Sequence, residues 1–289
     1  METKLKQLFQ NRTAVIATMH QKEKVIAPLL ERELGLQTTV LKHFNTDQFG
    51  TFTNEVERAG NQLEAAKNKL KMAMKQSGLD IGVASEGSFG PHPVFTFSPF
   101  NRELILLLDK KHQLEITGYI ANGKTNFSQK EVEGFEDAYK FALSVGFPEH
   151  GVIVKKSMET KEANEIRKGI QTVEELKQAV ADFITPGSLK SLYLETDMRA
   201  MYNPTRMKNI QLATKDLLAK MRSFCPSCDT PGFAIKEVKR GLPCHYCGMP
   251  TDVIRSHLYQ CEKCQYEKED LFPNGMEFAD PTYCNRCNP

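Results

Sequence analysis

The sequence predicts an α/β protein whose chain ends in a small cysteine-rich module, and three observations carry that reading. Short apolar strands alternate with amphipathic helices from residue 13 to 85, the pattern of βαβ units and a parallel sheet. Two strand-like runs then follow directly on one another, 101–111 and 113–121, which adds an antiparallel pair. All eight cysteines fall between Cys225 and Cys287, as four Cys-x-x-Cys pairs. The expected architecture is a mixed, mostly parallel sheet with flanking helices over 1–222 and a double zinc-ribbon module over 223–289.

Each element has a local reason. Residues 13–18 (TAVIAT) read as a buried strand. Ile26, Leu29, Leu30 and Leu34 then share one helix face, and Gly35 stops the helix. TTVLKHF is the second strand and 46–54 a polar loop. The clearest helix carries Val56, Ala59, Leu63, Ala66, Leu70 and Ala73 at alternating steps of three and four, a narrow apolar stripe that Gly78 should end. DIGVAS is a strand and EGSFGPHP a turn-rich loop at its carboxyl end. The segment 128–146 reads as a helix, HGVIVKKS as a strand, and Thr172 with Glu175 as the capping box of the next helix. SLKSLYLET is a strand, and 204–221 a last helix leading into the cysteines.

Composition narrows the function classes. The net charge is +2, so no strong field points to nucleic acid or a membrane surface. The module 223–289 has seven Lys/Arg against nine Asp/Glu, which gives phosphate-backbone binding little support; a structural or protein-contact role fits it better. The amino-terminal stretch lacks the apolar run of a signal peptide, and no run approaches the ~20 apolar residues of a membrane span. Thiolates kept as metal ligands suit a reducing cytoplasm. Walker, GxGxxG, HExxH and GxSxG motifs are absent.

Four Cys-x-x-Cys turns supply eight thiolates, enough for two tetrahedral Zn²⁺ sites: Cys225, Cys228, Cys244, Cys247, Cys261, Cys264, Cys284 and Cys287. The knuckle-hairpin-knuckle look of 244–264 favours nested pairing. Cys244, Cys247, Cys261 and Cys264 would hold an inner zinc, and the outer four a second. Sequential and cross-braced pairings remain open on spacing alone.

Further chemistry is expected beyond the carboxyl ends of the strands. Thr18, Lys22 and Lys24 follow strand one at a helix start, a natural phosphate site. Glu86 and Ser88 follow DIGVAS in a Gly-containing segment, where a carboxylate suits Mg²⁺. Glu64 and Lys67 flank the apolar stripe of the long helix and are expected to face the same cleft, and Arg206 begins the last helix.

In this order the motifs resemble the house-cleaning pyrophosphatases that act on inosine and xanthosine triphosphates, over roughly residues 13–120. Ala17-Thr18…Lys22-Glu23-Lys24 is similar to their phosphate loop, GNQLEAAKNKL to their polar helix, VASEGSF to their acid-glycine metal turn, and Asn203-Pro204-Thr205-Arg206 stands in for a late Ser/Thr-His-Arg segment. The resemblance implies a Mg²⁺-dependent hydrolase of non-canonical nucleoside triphosphates that releases pyrophosphate. Glu86, Glu64 and Lys67 would be catalytic, and Thr18, Lys22, Lys24, Ser88 and Arg206 would bind substrate. The chain departs from that pattern at Leu63, in place of an asparagine, and at Pro204-Thr205, in place of the histidine. ASEGSFGPHP, ETDMRAMYNPTRM and CNRCNP also make the chain similar to an uncharacterised bacterial family of unknown function. A non-catalytic zinc-ribbon protein that binds a nucleotide or a partner is the alternative.

Overall fold

The computed structural model describes residues 2–41, 44, 61–184 and 191–289. Helix α1 (Glu2–Phe9) leads into β1 (Thr13–Ala17), α2 (Glu23–Leu34), β2 (Gln37–Val40), α3 (Gln62–Ser77), β3 (Ile81–Pro91), β4 (Pro99–Asp109) and β5 (Leu114–Asn122). These strands form one sheet in the order β2-β1-β3-β4-β5. Helix α6 (Pro204–Met221) returns from late in the chain to lie on this sheet, between α2 and strands β4 and β5.

Both helix stops fall at the expected glycines, where Gly35 and Gly78 each take φ +68° as left-handed caps. Helix α3 opens on a reciprocal capping box between Asn61 and Glu64. It buries Ala66, Leu70 and Ala73 against one face of the sheet, with Leu63 partly buried beside them. Val56 and Ala59 lie outside the described residues. The other face of the sheet packs Ile16, Ile81, Ile105 and Leu107 against α1, α2 and α6. Helix α6 approaches β5 so closely at Gly118 that an added Cβ would collide with the Ala213 carbonyl, so a side chain there would lift the helix from the sheet.

A second sheet has the order β6-β9-β7-β8. It is built from β6 (Gln129–Val132), β7 (Val152–Lys155), β8 (Ile166–Ile170) and β9 (Leu192–Thr196). Helices α4 (Phe135–Ser144) and α5 (Val173–Phe183) cover it, around Val132, Phe141, Val152, Leu176 and Leu194.

Three expectations need correction. The first sheet is mixed but not mostly parallel, and the second is antiparallel throughout: β1 pairs in parallel with β2 and β3, whereas β3–β4, β4–β5 and every pair of the second sheet are antiparallel. Parallel neighbours need a long crossover, and only the links through α2 and α3 provide one within the first sheet. The segment 128–146 is not one helix. Its first residues pair as β6 with β9, and Gly134 separates them from α4. EGSFGPHP is not a loop either. Strand β3 runs on to Pro91, in register with β4 from Ile81↔Asp109 to Pro91↔Pro99. The neighbouring antiparallel strand satisfies the backbone of this glycine-rich stretch and keeps it extended.

The carboxyl-terminal module is a three-stranded antiparallel sheet, β10 (Ala234–Arg240), β11 (Ile254–Gln260) and β12 (Glu267–Leu271). It packs on the α/β body through Gly232 against Ile116 and through Lys4 over the Phe224 ring and paired with Asp229. Among the described residues no helix is long and apolar enough to cross a membrane.

Candidate functional site

The carboxyl end of β1 meets the middle of β3, and buried charge collects there. After Ala17 the chain turns through Gln21, at φ +58°, into α2. That turn carries Lys22 inward. Its side chain is 6% exposed, and Nζ donates to the Ser85 carbonyl at 3.1 Å. Lys69 of α3 arrives from the other side, donating to the same carbonyl at 3.5 Å and forming an ion pair with Glu86. Lys22 has no carboxylate within ion-pair distance among the described residues.

On the α6 face of the sheet, Arg206 is fully buried. It donates from Nε to Glu103 Oε1 at 2.8 Å and from Nη1 to the Met198 carbonyl, and lies 5.1 Å over the Phe89 ring. Gly87 faces Glu103 across the ladder. A Cβ there would sit 2.6 Å from Arg206 Nη2 and 2.7 Å from Glu103 Oε1, so a side chain at this position would have to displace the ends of the paired side chains.

The electrostatics follow from this crowding. Burial first, then Arg206 and Lys69, push the Lys22 ammonium down to about 7, against smaller opposing pulls from Glu86 and Glu103. Burial, then Lys22, Arg206, Arg199 and Lys69, push His20 down to about 3 and keep its ring neutral. Among the described residues, three basic groups, Lys22, Lys69 and Arg206, stand around two carboxylates, Glu86 and Glu103. Such a site is poised to accept an anion.

Thr18, Lys22, Glu86 and Arg206 therefore gather in one region, and Ser88 lies half-buried further along β3. Three other expected residues do not join them. Lys24 is exposed and bonds Gln21. Glu64 is exposed and spends its carboxylate on the Asn61 backbone N–H. Lys67 pairs with Glu115 of β5 at 2.6 Å. Helix geometry explains the miss: at ~100° per residue Lys67 lies ~200° from Lys69, and Lys69 shares the sheet-facing stripe with Ala66, Leu70 and Ala73.

Sequence reasoning missed Lys69, Glu103 and Asn101, yet each left a signal. Lys69 is a lysine in phase with buried helix positions. Glu103 and Asn101 stand in phase with Ile105 and Leu107 on β4, and strand side chains alternate with period two.

The cysteines form two groups whose sulfurs lie within 4.8 Å of one another. Cys225, Cys228, Cys261 and Cys264 make one group, and Cys244, Cys247, Cys284 and Cys287 the other. Sγ–Sγ separations of 3.6 Å (Cys225–Cys264, Cys228–Cys261, Cys247–Cys284) and 3.9 Å (Cys244–Cys287) far exceed a disulfide bond. They match the ~3.8 Å edge of a tetrahedron with ~2.3 Å metal–sulfur bonds, so each group could hold one metal ion.

The pairing is cross-braced, not nested. Register Ala234↔Gln260 sets the first and third knuckles at one end of the β10–β11 hairpin, and Arg240↔Ile254 sets the second at the other. Strand β11 has 7 residues and, at ~3.3 Å per residue, holds Cys247 and Cys261 too far apart to share an ion. The fourth knuckle reaches the second through His245 N–H donating to the Ala279 carbonyl at 2.9 Å, and Ala279 N–H to the Pro243 carbonyl at 2.8 Å.

A family model described as a domain of unknown function, DUF6671, matches residues 69–289. The match spans β3, β4 and β5 of the first sheet, the whole second sheet, α6 and the cysteine module, and the chain belongs to that family. No curated protein matches the chain.

Proposed function

We propose, for a member of a family with no assigned activity, that the buried cluster at the end of β1 binds the phosphates of a nucleoside triphosphate. The protein would then be a divalent-metal-dependent hydrolase that releases pyrophosphate. The observation that carries this reading is Lys22, a buried ammonium aimed at the Ser85 carbonyl with no carboxylate at ion-pair distance among the described residues. A buried charge without a counter-ion is costly, and a phosphate oxygen would supply one. Lys69 and the buried Thr18 hydroxyl, which has no hydrogen-bond partner, stand ready as further donors. The resemblance to the triphosphate pyrophosphatases points the same way.

The residues fit Mg²⁺, which binds through one or two carboxylates plus substrate phosphates rather than in an all-protein cage. Glu86 is the buried carboxylate available, and Lys69, now paired with it, would turn to the phosphates. When bound, the ion would polarise the phosphates and lower the pKa of the attacking water. His20, held neutral, can donate or accept a hydrogen bond without adding charge. Arg206 is committed to Glu103 and the Met198 carbonyl, so its part is to hold the sheet and α6 together beside the cluster. Zinc is the metal four thiolates select. With all four positions filled by protein, both sites are structural and stabilise a module with little apolar core.

The test is pyrophosphate release from a panel of nucleoside triphosphates with Mg²⁺, wild type beside Glu86→Gln. The expected loss is ~10²-fold or more, the scale of a missing transition-state contact. Equal rates would remove Glu86 from the chemistry. Nucleotide binding without hydrolysis in either protein would favour the non-catalytic reading.

A further inference from the structure

Arg199 lies just beyond β9 of the second sheet, and its guanidinium is held from two directions. The Asp197 carboxylate, 0% exposed, accepts from Nε at 3.0 and 3.2 Å and from Nη2 at 2.6 Å. It also accepts the backbone N–H groups of Arg199 and Gly169, each at 3.0 Å. The Tyr202 ring packs on the guanidinium at 4.5 Å. Gly169, at φ +76°, makes room for this stack: a Cβ there would stand 2.7 Å from Tyr202 Cζ and 3.1 Å from Arg199 Nη2. Side-on binding along Nε and Nη2 turns the Nη1 end of the planar fork away from Asp197. The same segment is tied to the charged cluster. Met198, the preceding residue, gives its carbonyl to Arg206 Nη1, and Arg206 Nη2 reaches the space over Gly87, next to Glu86. The charge of Arg199 acts on the His20 ring together with those of Lys22, Arg206 and Lys69. Such forces weaken with distance, so the arginine belongs to the same cluster as the two lysines.

We propose that Arg199 is a phosphate-binding residue and that the anion site is two-sided, gripped by Lys22 and Lys69 at the first sheet and by Arg199 from the second. This rests on the triphosphate reading above and deepens it. A lysine ammonium is a point donor, whereas a guanidinium with one edge committed to a carboxylate can offer its other edge to two phosphate oxygens. Asp197 and Tyr202 fix the fork beforehand, so little side-chain freedom is lost when the anion arrives. The contrast with the neighbouring pair supports this role. Arg206 and Glu103 are both 0% exposed, whereas Asp197 is closed in and the Arg199 side chain stays 25% exposed. The buried carboxylate thus holds an arginine that solvent, and hence a ligand, can reach. Arg199 also stands in the ETDMRAMYNPTRM stretch, on the chain that joins β9 to α6, so one short segment serves both sheets.

The test is arginine labelling by phenylglyoxal in the full-length, zinc-loaded protein, with and without saturating tripolyphosphate, mapped by peptide mass spectrometry. Calorimetric titration beside it gives the tripolyphosphate affinity. Arg199 should label in the free protein and be protected ~10-fold or more by tripolyphosphate in large excess over its Kd. Arg32, 69% exposed on α2, should label equally in both and serves as the internal control. Arg199→Gln should weaken tripolyphosphate binding ~10-fold or more, the scale of a lost hydrogen bond to a charged group, and Arg199→Lys should recover part of that loss. If Arg199→Gln fails to fold by circular dichroism and zinc content, Arg199→Lys is titrated in its place, and protection of the wild type decides independently. Equal labelling of Arg199 in the bound and free protein, no labelling in either, or wild-type affinity in Arg199→Gln would each overturn the inference. Tripolyphosphate binding that is lost in Lys22→Met would then leave the phosphate reading intact. Failure of tripolyphosphate to bind the wild type would overturn both.

Discussion

Replacing Lys22 with methionine should stabilise the fold and abolish anion binding. The ammonium is held near 7 against an ordinary 10.5. At ~1.36 kcal/mol per tenfold, keeping this site in place of an apolar one costs the native state about 4 kcal/mol at pH 7. Methionine has a similar length and flexible stem. It forfeits the hydrogen bond to the Ser85 carbonyl, worth ~1 kcal/mol, which leaves a net gain of about 2–4 kcal/mol. The sign depends on pH. Above the unfolded value of 10.5 both states are neutral and the two proteins should differ little. As pH falls toward 7 the unfolded chain takes up a proton that the folded chain resists, so wild-type stability drops relative to the variant. Below 7 the gap should be constant. Urea unfolding at pH 6.5 and pH 10, in buffers free of phosphate and sulfate, measures both arms. A variant less stable than wild type at pH 6.5, or a gap that does not shrink by pH 10, would refute the placement of an uncompensated lysine. Tripolyphosphate binding retained by the variant would refute its role. Proteins commonly hold such destabilised groups at sites of function.

Two further outcomes follow from the geometry. Cys287→Ser should release one of two zinc equivalents and free the thiols of Cys244, Cys247 and Cys284, leaving Cys225, Cys228, Cys261 and Cys264 protected; release of Cys225 and Cys228 in a thiol titration would restore nested pairing. Gly87→Ala should cost at least ~2 kcal/mol by pushing Arg206 from Glu103, whereas Gly90→Ala, whose new methyl group meets nothing within 4 Å, should stay within ~0.5 kcal/mol. Equal midpoints for these two in chemical denaturation would remove the close approach at Gly87.

By itself the sequence determined whatever depends on neighbours along the chain. The helix stops at Gly35 and Gly78, the capping box at Thr172, the bounds of Pro204–Met221 and the eight thiolates grouped as Cys-x-x-Cys turns are local in origin, set by backbone freedom, cap chemistry and ligand spacing. Tertiary structure decided what depends on strand register and on which helix face meets the sheet. A stretch rich in glycine and proline became half of a long ribbon because β4 lay beside it. Register between β10 and β11 chose which knuckles share a metal, since four equivalent turns carry no label of their own. The same holds at the charged cluster. Lys69 and Glu103 come from elements far apart in the chain and meet Lys22 and Arg206 only because the α3 stripe and alternate positions of β4 are pressed against the ends of β1 and β3. Charge, unlike a cap or a knuckle, acquires its meaning from burial, and burial is a property of the assembled fold.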